Sequence, residues 1–192
     1  MYFTLPGARN RMVKSNNPPI TSENMPSEEL HNPSSTLHAL RITLTAIGSG
    51  RKIDLRKTGI LTLLVCHGQE SAAEATQVHT AVRQRYPLSS TLLTASLVNL
   101  KIVPRMFRGV AEKAIRKAYQ EAVASLEKDQ PPEEYIVILP DWDGSVTASL
   151  GLRNTSRTAG IAVLDGEGNV LVTSQGADLA STAVRLLEKY AS

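Results

Sequence analysis

At 192 residues, 42% of them hydrophobic, the chain is long enough for one sizeable core, since a domain of ~150 residues hides roughly 70% of its unfolded surface. Its 21 basic and 18 acidic residues leave a formal charge of +3, too mild to require or exclude an anionic partner. One cysteine rules out an internal disulfide, the four histidines lack the paired spacing of a zinc site, and no run reaches the ~18 to 20 apolar residues of a membrane span.

Residues 1 to 35 hold half of the ten prolines, with Asn and Ser clusters and no apolar period. Such a segment buries too little to offset its ordering entropy, so a disordered tail is expected, with Met12 or Met25 as alternative starts. Arg9, Arg11 and Lys14 have no apolar core behind them, so the segment does not read as a secretion signal. The expectation is a cytoplasmic protein of bacterial type with a domain over residues 36–192, no metal, no cofactor and no membrane partner.

From Thr36, Leu37, Ala39, Ile42, Leu44 and Ile47 alternate roughly with polar residues, which predicts a half-buried strand ending at Gly48-Ser49-Gly50. Lys52 to Leu55 follows as a partner. Ile60 to Cys66 is a continuous apolar run, the pattern of a central strand covered on both faces. After His67-Gly68, the spacing Ser71-Ala72-Ala73-Glu74 predicts a capping box opening a helix over 72–85. Thr91 to Leu100 reads as a strand. Pro104 opens a long helix, in which Phe107, Val110, Ala111, Ala114, Ile115, Ala118, Ala122 and Leu126 keep a 3.6-residue period. Pro131-Pro132 breaks the chain before a strand over 135–139, and a short helix over 146–150 follows. The β runs Ala159 to Leu164 and Val170 to Thr173 read as a hairpin across Asp165 to Asn169, and the last helix spans 178–190 with Leu179, Ala183, Leu186 and Leu187 on one face. Strands alternating with helices predict an α/β domain with a mixed sheet flanked by helices.

In this order of elements the chain resembles the thioredoxin-like superfamily, in its peroxiredoxin and thiol-disulfide oxidoreductase branch, over roughly residues 51–192. Lys52-Ile53-Asp54-Leu55-Arg56-Lys57-Thr58-Gly59 is similar to the phrase before that branch's first core strand. ILPDWDGSVTASLGL and GIAVLDGEGNVL are similar to its later strand, turn, short helix and hairpin. The resemblance implies a reactive cysteine at the mouth of the first helix, where free N–H groups and the helix dipole stabilise a thiolate. Here that place reads Gly68-Gln69-Glu70-Ser71-Ala72. It also implies a proline just before the penultimate strand, where this chain has Ala159, or Arg157 or Thr158 beside it. Both departures point to a degenerate member that binds or is vestigial. The alternative is a one-cysteine oxidoreductase or peroxidase using Cys66, with an external thiol as reductant.

The remaining candidates carry two readings each. Cys66 is a solitary thiol with His67 beside it as proton acceptor, or a small buried strand residue. Asp141-Trp142-Asp143-Gly144 resembles the first motif of haloacid-dehalogenase-type phosphatases, or it is a turn in which Asp141 or Ser145 caps the short helix. Only 46 residues follow Val146, too few for the rest of that phosphatase sheet, and the loop lacks an EF-hand's ligand series. Trp142 lines a pocket with His67, Gln69, Ser71 and Arg157, or covers the core. Arg105, Arg108, Lys113, Arg116 and Lys117 form a basic face over residues 105–117 that meets phosphates, those of a nucleic acid among them, or an acidic partner, or is simply solvated. Aromatics make up only 4% of the chain and form no stacking platform, which disfavours nucleic acid.

Overall fold

The run Ile60 to Cys66 becomes the middle of a sheet because it can be covered on both faces. In the computed structural model, which describes residues 42–87 and 90–191, strand β3 (Leu61–His67) lies at its centre, buried from Thr62 to Cys66. Helix α1 (Ala72–Arg85) follows, then β4 (Leu92–Asn99), a single 3-10 turn (Arg105–Phe107) and α2 (Arg108–Ala124). The chain continues through α3 (Pro132–Tyr135), β5 (Val137–Asp141), α4 (Ser145–Ser149), β6 (Gly160–Leu164), β7 (Val170–Gln175) and α5 (Leu179–Tyr190). The sheet order is β5-β4-β3-β6-β7, with β3, β4 and β5 parallel and β6 and β7 antiparallel to their neighbours. A small hairpin, β1 (Thr43–Thr45) and β2 (Lys52–Asp54), precedes it, and the Ile47 amide donates to the Ile138 carbonyl at 2.9 Å, which ties that hairpin to the β5 edge. The expected tail over residues 1–35, and the expected strand as far as residue 41, lie outside the described residues.

Strand alternation splits the core in two. Leu63 and Val65 of β3 face one way, against Ala75, Val78 and Val82 of α1 and Leu179, Ala183, Leu186 and Leu187 of α5. Leu64 and Cys66 face the other way, with Leu97, Leu139, the hairpin residues Ile53 and Leu55, and Val146, Leu150 and Leu152. Each fully buried leucine contributes roughly 1.5–3 kcal/mol by leaving water.

The structure differs from the sequence expectation in several places. Among the described residues β1 covers Thr43–Thr45 and ends before Ile47. The Pro131-Pro132 break starts a one-turn helix, because Pro132 at its first position needs no N–H partner, and β5 therefore begins two residues late. The long helix departs more. Its apolar stripe predicts a core-facing side, yet none of its residues is buried, and Phe107 and Val110 point outward. Of the predicted stripe, Ala111, Ile115, Ala122 and Leu126 are half-buried, beside Arg108, Glu112 and Tyr119, while Ala114 and Ala118 are exposed like Phe107 and Val110. The reason is its dock: Gly48, with φ of +101°, leaves room for the Tyr119 ring, where a Cβ would lie 2.3 Å from the nearest ring carbon.

Candidate functional site

The loops after β3 and β4 and the loop before β6 meet around the mouth of α1. Gly68 begins the turn after β3; a Cβ there would lie 2.7 Å from the Ser156 Cα, so the loop before β6 presses directly on this backbone. Ser71 occupies the N-cap position but caps nothing. Its buried hydroxyl donates to the Thr155 carbonyl at 2.6 Å and accepts the Gly68 amide at 3.1 Å, while that amide also reaches the same carbonyl at 2.9 Å. Thr155 Oγ1 accepts from Asn99 Nδ2 at 3.1 Å, and Asn99 Oδ1 accepts the Lys101 amide at 3.1 Å. One polar chain thus joins three loops.

The expected capping box does not form. Glu74 reaches away from the helix start, and its Oε2 accepts the amide of Ala159 at 2.8 Å. Leaving that buried amide unpaired would cost about 1–3 kcal/mol, which is reason enough for the carboxylate to leave the helix end. The bond requires a residue other than proline at 159, because proline has no amide hydrogen. The two places where the resemblance implies a cysteine and a proline are therefore filled by groups that hydrogen-bond across the mouth, Ser71 to the Thr155 carbonyl and the Ala159 amide to Glu74 of α1.

Cys66 lies one strand position away from His67, so the two side chains leave β3 on opposite faces. The thiol is fully buried on the hairpin side, and burial, reinforced by the nearby Asp141 carboxylate, pushes its pKa far above the ordinary thiol range. His67 sits on the α1 side, near His79, and burial lowers its pKa. Its Nδ1 lies 3.0 Å from the Gly68 carbonyl and must carry the proton, since a carbonyl only accepts. The expected thiol and proton-acceptor pair is thus not assembled.

Asp141 is a buried cap. Oδ2 accepts the Thr147 amide at 2.8 Å and its hydroxyl at 2.7 Å, and Oδ1 lies 3.4 Å from the Val146 amide. Those bonds occupy the carboxylate that the phosphatase reading would use as nucleophile. Asp143 accepts the Ser145 amide at 3.0 Å, and its hydrogen bonds to Ser145 hold its pKa below the usual range. Trp142 lines a cavity of about 460 Å³ with residues of the β1–β2 turn, Glu112, Arg116 and Pro140, not with His67, Gln69 or Arg157. The Arg108 guanidinium stacks over its ring at 5.2 Å, with a buried Nε that makes no hydrogen bond. Arg157 meets Glu70 at 3.9 Å, both highly exposed, and Gln69 beside them is exposed too. Of the expected set, Gln69, Ser71, His67 and Arg157 share the α1 mouth, whereas Trp142 belongs to the α2 side. On the basic face, Arg105, Lys113 and Lys117 are exposed and Arg116 pairs with Glu112 at 2.7 Å.

Sequence reasoning missed a second polar group. His79 Nε2 lies 2.8 Å from Ser96 Oγ, and the Arg83 guanidinium donates to the Tyr135 carbonyl at 2.7 Å while stacking on the Tyr135 ring at 4.5 Å. These residues line a cavity of about 520 Å³ between α1, β4, β5 and the end of α2. Burial, with the nearby charges of His67 and Arg83, lowers the His79 pKa to about 4. The available signal was Thr94 and Ser96, two polar residues on one face of an otherwise apolar strand. Among the described residues no group of three or more His, Cys, Asp or Glu side chains is placed to hold a metal ion.

The strand order and helix placement define a thioredoxin-like fold. Solved structures with that fold are similar to this chain. A DsbF homologue from Corynebacterium diphtheriae matches with a TM-score of 0.54 at 11% identity, covering 88% of this chain and 96% of its own. The exposed lipoprotein thioredoxin Etrx1 of Streptococcus pneumoniae matches at 0.52 and 15% identity, over 77% of this chain and 98% of its own. A thioredoxin-like protein from Aeropyrum pernix matches at 0.50 and 14%, over 78% and 89%. No family model and no curated protein matches the sequence.

Proposed function

We propose that the chain is a thioredoxin-like protein that acts by binding and not by disulfide exchange. The observation that carries this reading is a separation: the one cysteine is buried under the β1–β2 hairpin, while the mouth of α1, on the opposite side of β3, holds a serine hydroxyl already donated to the Thr155 carbonyl. A hydroxyl there stays protonated and cannot replace a thiolate. A thiol raised by burial supplies no thiolate near neutral pH, and thiolate is the nucleophile in disulfide exchange. Gln69, Glu70 and Arg157 stand exposed above this latched floor and offer the contacts by which a protein partner would be recognised.

The test is titration of the native protein with an aromatic disulfide reagent, alongside insulin-reduction and peroxide-consumption assays. Cys66 is expected to react only on unfolding, and both activities are expected at background, unchanged by Cys66→Ser. Peroxide consumption or insulin reduction that disappears in Cys66→Ser would overturn the reading in favour of one-cysteine chemistry.

A further inference from the structure

The exposed large apolar side chains cluster at one place. Ile102 is 75% exposed, Met106 82%, Phe107 53% and Val110 65%, all within the turn that leads into α2 and its first helical turn. Exposed Ala114 extends the band by one further turn of α2. Scattered singly, such residues would need no explanation, but a contiguous patch marks an interaction surface.

The charge around it is one-sided. Residues 101–117 contain six basic side chains, Lys101, Arg105, Arg108, Lys113, Arg116 and Lys117, and one acid, Glu112. Arg116 holds that acid at 2.7 Å, on the half-buried side of the helix. Further along, Lys117 pairs loosely with Glu121 at 3.7 Å. Lys101, Arg105 and Lys113 make no ion pair within 4 Å among the described residues.

From this apolar band bordered by cations we infer that residues 102–114 lie on an anionic lipid bilayer, with Ile102, Met106, Phe107 and Val110 entering the headgroup boundary and Lys101, Arg105 and Lys113 meeting the lipid phosphates. Long side chains that project from a helix suit a soft interface that closes around them. Flanking Lys and Arg favour anionic headgroups, and their stems snorkel to the surface as the apolar residues enter. The expectation of no membrane partner rests on the lack of a spanning run; a helix lying in the interface needs none, and no helix among the described residues is long and apolar enough to cross. The inference is independent of the chemistry at the α1 mouth.

The experiment is co-sedimentation of the full chain with vesicles of phosphatidylglycerol and phosphatidylcholine, against vesicles of phosphatidylcholine alone. Saturable binding is expected only to the anionic vesicles, weakening as salt rises. Met106→Asp with Val110→Asp, and separately Lys101→Glu with Lys113→Glu, are each expected to weaken it at least tenfold. All four residues are outside the core, so unchanged circular dichroism and thermal midpoint are expected to accompany the loss. Phe107→Trp is expected to show a blue-shifted emission, relative to the wild-type Trp142 signal, when anionic vesicles are added. No binding to anionic vesicles would overturn the inference. So would binding that survives Met106→Asp with Val110→Asp, or that heparin reproduces with equal affinity, since either result describes non-specific attraction of polyanions to the basic residues.

Discussion

Two helices of this chain carry apolar stripes of comparable reach and use them in opposite ways. α5 turns Leu179, Ala183, Leu186 and Leu187 into the core against α1, β6 and β7, and all four are buried. α2 is longer, yet buries none of its residues and shows Phe107 and Val110 to solvent. The difference lies in what each helix is offered. α5 returns over β6 and β7, where Ile161, Val163 and Val172 form an apolar floor. α2 leads to the β5 edge, where Thr94 and Ser96 of β4 and Ile136 and Ile138 are only half-covered and a cavity remains between α1 and the end of α2. A periodic stripe thus states that a helix is amphipathic, and the partner surface decides which part of the stripe is used.

That contrast can be broken most directly in the α5 core. Leu187 is fully buried, so Leu187→Ala is expected to cost about 2–5 kcal/mol in urea unfolding. A loss under about 0.5 kcal/mol, the range of surface substitutions, would show that α5 is as loosely held as α2.

Acid should act mainly on the α1–α2 side. His79 has an ordinary pKa of 6.5 and a folded one of about 4, so the folded state favours the neutral ring. Its contribution is fully present above pH 6.5 and is lost as pH falls from there towards 4, an effect of up to about 3 kcal/mol. His67, also lowered by burial, adds in the same direction. His79→Gln is expected to flatten the stability profile measured between pH 7 and 4; an unchanged slope would refute a neutral, structural His79.

A smaller effect is expected at the latch. Glu74→Ala removes the acceptor for the Ala159 amide and should destabilise by about 1–3 kcal/mol, with faster hydrogen exchange at that amide. Protection of Ala159 that outlasts the substitution would show that the loop is held without Glu74. The smallest effect should come from the outer face of α2, where Val110→Ala is expected to stay within about 0.5 kcal/mol of wild type by the same urea measurement. A larger loss would mean that this face is covered in solution.

Much of the fold is legible in the residues themselves. The run Ile60 to Cys66 reads as a doubly covered strand, and the predicted first helix over 72–85 and the mixed sheet both stand. A cap from Asp141 or Ser145 was legible too, because a polar side chain at the start of a short helix has free amides within reach, and the structure gives the role to Asp141. The candidate site was legible only in its absences. That Ser71 would turn from its own helix to Thr155, that Glu74 would reach Ala159, and that His79 would find Ser96 depend on which loops the sheet order brings together, across separations of 84, 85 and 17 residues. Periodicity and spacing report on neighbours within a few residues and are silent on such pairings.

The linear order of apolar and polar residues therefore determined the elements, the central position of β3, and the lack of a sulfur at the α1 mouth, since these follow from local pattern and from which atoms the chain possesses. Tertiary structure alone decided that the Cys66 thiol is sealed under the β1–β2 hairpin, that the mouth of α1 is latched, and that α2 keeps its apolar band outward. Each of these depends on the surface that folding sets against a residue, and hydrophobic burial, being non-directional, fixes that surface only when the whole sheet has assembled.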